Sequence, residues 1–272
     1  MLNNNLSTSA QRLNNQKKKY LYFFEDFLSY YWYPKEKKLK FQMKKDLLIG
    51  LSPNSKLIKE YKKSLTNLNT IQWEASIGLM LGDASIQTQN KGKTYRIKFE
   101  WGDKNKAYVL HVFNLFDEWL LSQPHKKERL SPKGNLIVNW GFQTFSHKAF
   151  NYLAELFLLD KGGKKGISEN LVQDHLTPKG LAYWFMDDGG KLDYNKNSKN
   201  RSVVLNTHSF TDLEVENLCD QLSNKFELLC EVRSNKNKKI IVIKDTSYSK
   251  FYQLINPYLL EEMKYKLPKF PL

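Results

Sequence analysis

The sequence predicts an α+β chain in which one pattern of helices and strand pairs occurs twice. Three observations predict it. Apolar residues recur at spacings of three and four in some segments and alternate with polar residues in others, the periods of buried helices and half-buried strands. An apolar helix that runs into acid and glycine occurs twice, at Gly82-Asp83 and at Asp187-Asp188-Gly189. The two acidic ends stand about 105 residues apart, a period that fits a repeated whole domain and is too long for a solenoid.

Residues 1–50 read as an extension. They open on Asn, Ser, Thr and Lys without an acid before Glu25, continue through the aromatic runs Tyr20 to Phe24 and Tyr30 to Tyr33, and hold net +6. The missing acids resemble a transit peptide, but Arg12 is the only Arg there. Gly50-Leu51-Ser52-Pro53 punctuates a boundary. Two halves follow, 51–165 and 166–272.

In the first half, Ile71 to Gly82 reads as an apolar helix and Thr94 to Trp101 alternates as a strand. Val109, Val112, Phe113, Phe116, Trp119 and Leu120 form the apolar stripe of a second helix. A hairpin is expected around Ser131-Pro132-Lys133-Gly134, running on through Leu136 to Trp140, with a third helix from Ser146 to Leu158. The second half begins at Thr177-Pro178, an N-cap followed by Pro at the first helical position. A strand from Arg201 to Asn206, an amphipathic helix from Thr211 to Phe226, a hairpin from Cys230 to Lys244 and a helix from Ser247 to Leu259 follow. Each half reads helix, strand pair, helix, strand pair, helix.

Composition removes several function classes. No apolar run reaches the roughly 18 residues of a membrane helix, so no membrane role is expected. Cys219 and Cys230 are too few for a disulfide framework or a thiolate zinc site and read as small core hydrophobes. A GxxxxGK loop, an HExxH pair and a Ser/His/Asp set are absent. His111, His125, His147, His175 and His208 are scattered and read as core or surface residues. The 43 Lys and Arg against 28 Asp and Glu give net +15, spread along the chain, and point to a polyanionic partner, nucleic acid first.

The chemistry gathers at the ends of the two lead helices. A helix C-terminus carries partial negative charge, so a carboxylate there is unfavourable unless something offsets it. Ala75, Ser76, Gly78 and Gly82, with Gly180 and Ala182, let two helix backbones approach closely, which brings Asp83 and Asp188 together. Two hard oxygen ligands on a basic surface suit Mg²⁺ and phosphodiester hydrolysis. Alone, either Asp is equally a turn former; matched positions in both copies favour the site.

The stretches Gly78-Leu79-Met80-Leu81-Gly82-Asp83-Ala84 and Leu181-Ala182-Tyr183-Trp184-Phe185-Met186-Asp187-Asp188-Gly189-Gly190 resemble the two motifs of a monomeric LAGLIDADG homing endonuclease. The resemblance, strongest to intron-encoded members of fungal mitochondria, covers roughly residues 52–268, and residues 1–50 have no counterpart in it. It implies two αββαββα halves with saddle-shaped antiparallel sheets astride duplex DNA, and motif helices at the central interface whose acidic ends meet the minor groove. It implies Asp83 and Asp188 as catalytic metal ligands, with Asp187 the weaker candidate, Mg²⁺ as cofactor with Mn²⁺ able to substitute, and Lys165 and Lys266 as basic residues beside the metals.

Base recognition is expected from strands and hairpins. The candidates are Gln87, Gln89, Arg96, Lys98, Lys126, Lys127, Arg129, Asn139 and Gly141 in the first half. In the second they are Lys191, Asn195, Lys196, Arg201, Arg233, Asn235, Lys236 and Lys238. Many of these contact phosphate only. The halves differ at nearly all of these positions, so the expected target is long and asymmetric and the protein a monomer. The expected function is site-specific double-strand DNA cleavage in intron homing, in mitochondria. The alternatives are an RNA maturase that binds its host intron and a DNA-binding regulator without catalysis.

Overall fold

The computed structural model describes residues 48, 50–52, 54–158, 166–195 and 199–268. The chain divides into two units, Met1–Gly50 and Leu51–Leu272, and every helix and strand named below belongs to the second. Expectations for the extension, and for Lys165 and Lys196, lie outside the described residues.

Helix α1 (Lys56–Ser64) starts where the Ser55 side chain accepts the Ile58 N–H, and it buries Ile58 and Tyr61. The first motif helix, α2 (Thr70–Leu81), starts in a capping box between Asn69 and Gln72 and is buried along most of its length. Strands β1 (Ser85–Thr88) and β2 (Tyr95–Gly102) follow. Then come α3 (Lys106–Leu115), β3 (His125–Leu130), β4 (Leu136–Gln143) and α4 (Asn151–Phe157). The second half repeats the order after a short connecting helix, α5 (Leu171–His175). The second motif helix, α6 (Pro178–Asp188), has Thr177 as N-cap. Strands β5 (Gly189–Lys191) and β6 (Val203–Asn206), helix α7 (Asp212–Phe226), strands β7 (Cys230–Asn235) and β8 (Lys238–Ile243) and helix α8 (Tyr248–Ile255) complete it.

Each half contributes one four-stranded antiparallel sheet, ordered β1-β2-β4-β3 and β5-β6-β8-β7. The helices cover one face of each: Ile97, Phe99 and Trp101 of β2 are buried, and Phe99 packs its ring against Phe116 and Phe142. The β7–β8 turn has Lys236 and Asn237 at φ of 48° and 62°, the left-handed pair that a type I′ hairpin requires. Among the described residues no helix is long and apolar enough to cross a membrane, and both cysteines are free.

Several elements end earlier than periodicity predicts, each for a local reason. The helix expected to reach Leu120 stops at Leu115, because the Gln72 amide takes up the Leu115 carbonyl and Trp119 turns inward to donate to Gln72 Oε1. The strand expected from Arg201 begins at Val203: the Arg201 N–H donates to Asp245 Oδ2 and Ser202 Oγ accepts the Asp245 N–H, contacts that tie this stretch to the turn at Asp245. The last helix breaks before Pro257, whose missing N–H leaves a short 3₁₀ turn, Asn256–Tyr258. Sequence reasoning misses helix α1, although Ser55 and the i, i+3 pair Ile58 and Tyr61 signal it; α5 carries little signal because its length of 5 residues spans little more than one turn.

Candidate active site and nucleic-acid face

The two motif helices lie side by side and point the same way. Lys179 Nζ pairs with Glu74 Oε2 at 2.8 Å near their beginnings, and Gly82 abuts Asp187 at their ends. Between these points the backbones touch: a Cβ on Gly78 would stand 1.9 Å from the Gly180 carbonyl oxygen. The small residues therefore serve the close approach expected of them.

At the joined C-terminal ends, Asp83 and Asp188 line one cavity of about 360 Å³ with Gly82, Ala84, Ser85, Asn206, His208 and Ser209. Asp83 is exposed and Asp188 half-buried. The Asn206 amide donates to the Asp188 carbonyl at 2.9 Å, tying the end of α6 to the middle of its sheet. Two carboxylates, an amide and hydroxyl oxygens form a hard donor set that fits Mg²⁺. Among the described residues no cluster of three or more His, Cys, Asp or Glu adds a further metal centre.

Asp187 turns the other way. Its Oδ2 accepts the backbone N–H of Asp83 at 3.1 Å and its Oδ1 the Trp101 indole N–H at 3.1 Å. It does not line the cavity. The buried Tyr108 phenol comes near enough to interact with this carboxylate, although outside good hydrogen-bond geometry. Burial first, then the Asp83 and Asp188 charges, push the Asp187 carboxyl well above the usual range. Gly82 makes this arrangement possible, because a Cβ there would fall 2.4 Å from Asp187 Cβ.

Lys266 supplies the offset that the acidic helix ends need. Its ammonium donates to the carbonyls of Met186 and of Asp187, the latter at 2.7 Å, and so sits on the negative pole of α6. Burial lowers its pKa, while the charges of Asp187, Asp188 and Asp83 oppose that shift.

Behind the helices, His111 Nε2 meets the Tyr183 hydroxyl at 2.7 Å, and burial lowers the imidazole pKa to about 4. The folded value lies below the ordinary 6.5, so the unfolded chain gains the proton first as pH falls. Stability is therefore expected to be present above about pH 6.5 and lost between there and pH 4, with about 1–2 kcal/mol gone by pH 5. Urea midpoints at pH 7 and pH 5 for wild type and His111→Gln measure this. The wild type should lose more than the variant, and equal losses would refute the assignment.

The candidate base readers separate by face. On the sheet face away from the helices, pairing in register groups Gln87 with Arg96, Lys98 with Gln143, Glu100 with Gly141, and Asn139 with Lys127. Arg129, paired with Ile137, shares that face, as do Arg233, Asn235 and Lys238 in the second half. Lys126 and Lys191 alternate to the opposite side, Lys126 in a pair with Glu128. Arg201 is held by Asp245 at 2.8 Å and lies over the Tyr248 ring, a framework contact. Arg96 Nε is buried without a hydrogen-bond partner in the described residues. Gln89 and Lys236 lie in connections that follow β1 and β7, and Asn195 follows β5. Sequence reasoning missed Glu100, an acid that shares a strand face with Arg96 and Lys98, and the contact of Lys266 with the helix carbonyls.

Comparison with known proteins agrees with this fold. The profile of the LAGLIDADG DNA endonuclease family matches residues 73–251. A protein of Wickerhamomyces canadensis described as a probable intron-encoded endonuclease is 51% identical over 224 residues, covering 82% of this chain and 95% of the relative. The cytochrome b mRNA maturase bI2 of Saccharomyces cerevisiae is 27% identical over 86% of this chain and 55% of its own length. The solved structure of the homing endonuclease I-WcaI bound to its DNA recognition sequence superposes with a TM-score of 0.77 at 50% identity, covering 83% of this chain and 97% of that one.

Proposed function

Because this chain belongs to the LAGLIDADG DNA endonuclease family, we propose that it cuts both strands of one long, asymmetric DNA site as a monomer, in the service of intron homing. The observation that carries the reading is the placement of Asp83 and Asp188 on one cavity at the joined ends of the motif helices. Asp83 and Asp188 would hold Mg²⁺, with Mn²⁺ able to replace it, and the metal would activate water and offset charge on the attacked phosphate. Lys266 neutralises the helix end that carries the acids and stabilises charge developing nearby. Lys165 takes the matching role in the first half by resemblance. Residues 51–165 and 166–272 form the two halves, each sheet reading half of the target in the major groove. The resemblance to fungal intron-encoded enzymes supports the mitochondrion as the site of action.

The test is cleavage of a plasmid that carries the intronless form of the host gene, with Mg²⁺ or with chelator. A single staggered cut that needs the metal, and a 1:1 complex, are expected; a preferred palindrome or a 2:1 complex would refute the monomeric asymmetric reading. The maturase relative supports a second reading: selective binding of intron RNA with no DNA cleavage would make that the better one.

A further inference from the structure

The outer face of the first sheet carries an acid where it must approach a polyanion. Glu100 projects there from the middle of β2, half-buried. Its Oε2 accepts from Lys127 Nζ at 2.5 Å and stands 3.7 Å from Lys98 Nζ, and its Oε1 accepts from Asn139 Nδ2 at 3.1 Å. The Lys127 hydrogen bond above all, joined by Asn139 and Lys98, draws the carboxyl down to about 2 against the effect of burial. Directly across the ladder stands Gly141, where a Cβ would meet the Phe99 carbonyl oxygen at 3.1 Å and Glu100 Cβ and Cγ at 3.7 Å. The sheet leaves a dent at this point, and the acid sits in it.

A carboxylate on such a face opposes binding to phosphate, so the contacts it makes must serve something other than affinity. A lysine left free swings to the nearest phosphate, a contact that carries no sequence information. Pinned at the floor of the sheet, Lys127 can offer its ammonium only to a base edge, and Asn139, held by its own amide nitrogen, presents one side of its amide. Both Glu100 oxygens are already engaged, which suits a group that arranges readers over one that reads.

We infer that Glu100 is a positioning residue for specificity: it holds Lys127 and Asn139 for base readout and gives up total affinity to do so. This rests on the reading of the chain as a site-specific DNA-binding enzyme. The experiment is equilibrium binding without catalytic metal, using the full chain, its recognised duplex, single-base-pair variants of it and random duplex. Glu100→Gln is expected to hold random duplex as tightly as wild type or up to about threefold tighter, with a salt slope steeper by about one phosphate contact. It should lose roughly tenfold of its preference for the recognised site, confined to the base pairs that Lys127→Ala also relaxes. In a Lys127→Ala background the same change should add little.

Preserved discrimination in Glu100→Gln, or a loss spread evenly over all positions, would overturn the inference while leaving the functional reading intact. A wild-type chain with no preferred duplex would overturn both. Should Glu100→Gln melt well below wild type, Lys127→Ala and Asn139→Ala carry the test separately: relaxed readout at a shared block of base pairs supports the inference, and unrelated positions refute it.

Discussion

Asn in place of either Asp83 or Asp188 is expected to lower the cleavage rate by about three orders of magnitude or more, since a metal ion contributes several kcal/mol to such a transition state. Asn keeps the size and one oxygen but removes the charge that holds a divalent cation. Asp83 is exposed, and the Asp188 backbone contact to Asn206 survives the change, so folding should be unaltered. Binding to the target without metal should hold or tighten, because one negative charge leaves a surface facing phosphate. Single-turnover cleavage and binding by the same preparations separate the two effects. A variant that still cuts within about tenfold of wild type would remove that Asp from the metal site.

Gly78→Ala is the smallest change with a comparably large effect. The added carbon would lie 1.9 Å from a backbone oxygen of α6, and no side-chain rotation relieves a clash of backbone on backbone. The helices must separate, which costs about 3 kcal/mol or more and lowers the melting temperature of a unit this size by about 10 °C. It also parts the two acids, so activity should fall further than stability alone explains. Gly102→Ala, with nothing within 4 Å of the new carbon, is the control for thermal melting. Equal melting temperatures in the two variants would show that the motif helices do not pack as described.

These two effects draw on what the sequence states most clearly. The small residues of the motif helices, the cap at Thr177 and the hairpin between Cys230 and Lys244 are all local patterns that structure leaves unchanged. Placing Asp83 beside Asp188 needed only the assumption that two glycine-bearing helices pack together. What the sequence concealed are contacts between residues far apart along the chain. Trp101 reaches Asp187, and Lys266 reaches the carbonyls of Met186 and Asp187 from 79 residues beyond Asp187 in the chain. Nothing periodic marks such a pair, because each member satisfies its own element and meets the other only after packing. Glu100 was hidden for a related reason: its alternation with Arg96 and Lys98 reads as an ordinary solvated strand until Lys127 and Asn139 arrive from two other strands.

The meeting of Gly82 with Asp187 also bears on ancestry. One motif offers a vacancy at this place and the other the side chain that fills it. Two copies of the first half would face glycine with glycine, leaving a hole and no acceptor for the Asp83 amide. Two copies of the second half would drive two carboxylates into one space, charge against charge. A scheme that shuffles halves between related enzymes is therefore expected to keep its helix packing best when the two members of this pair move together.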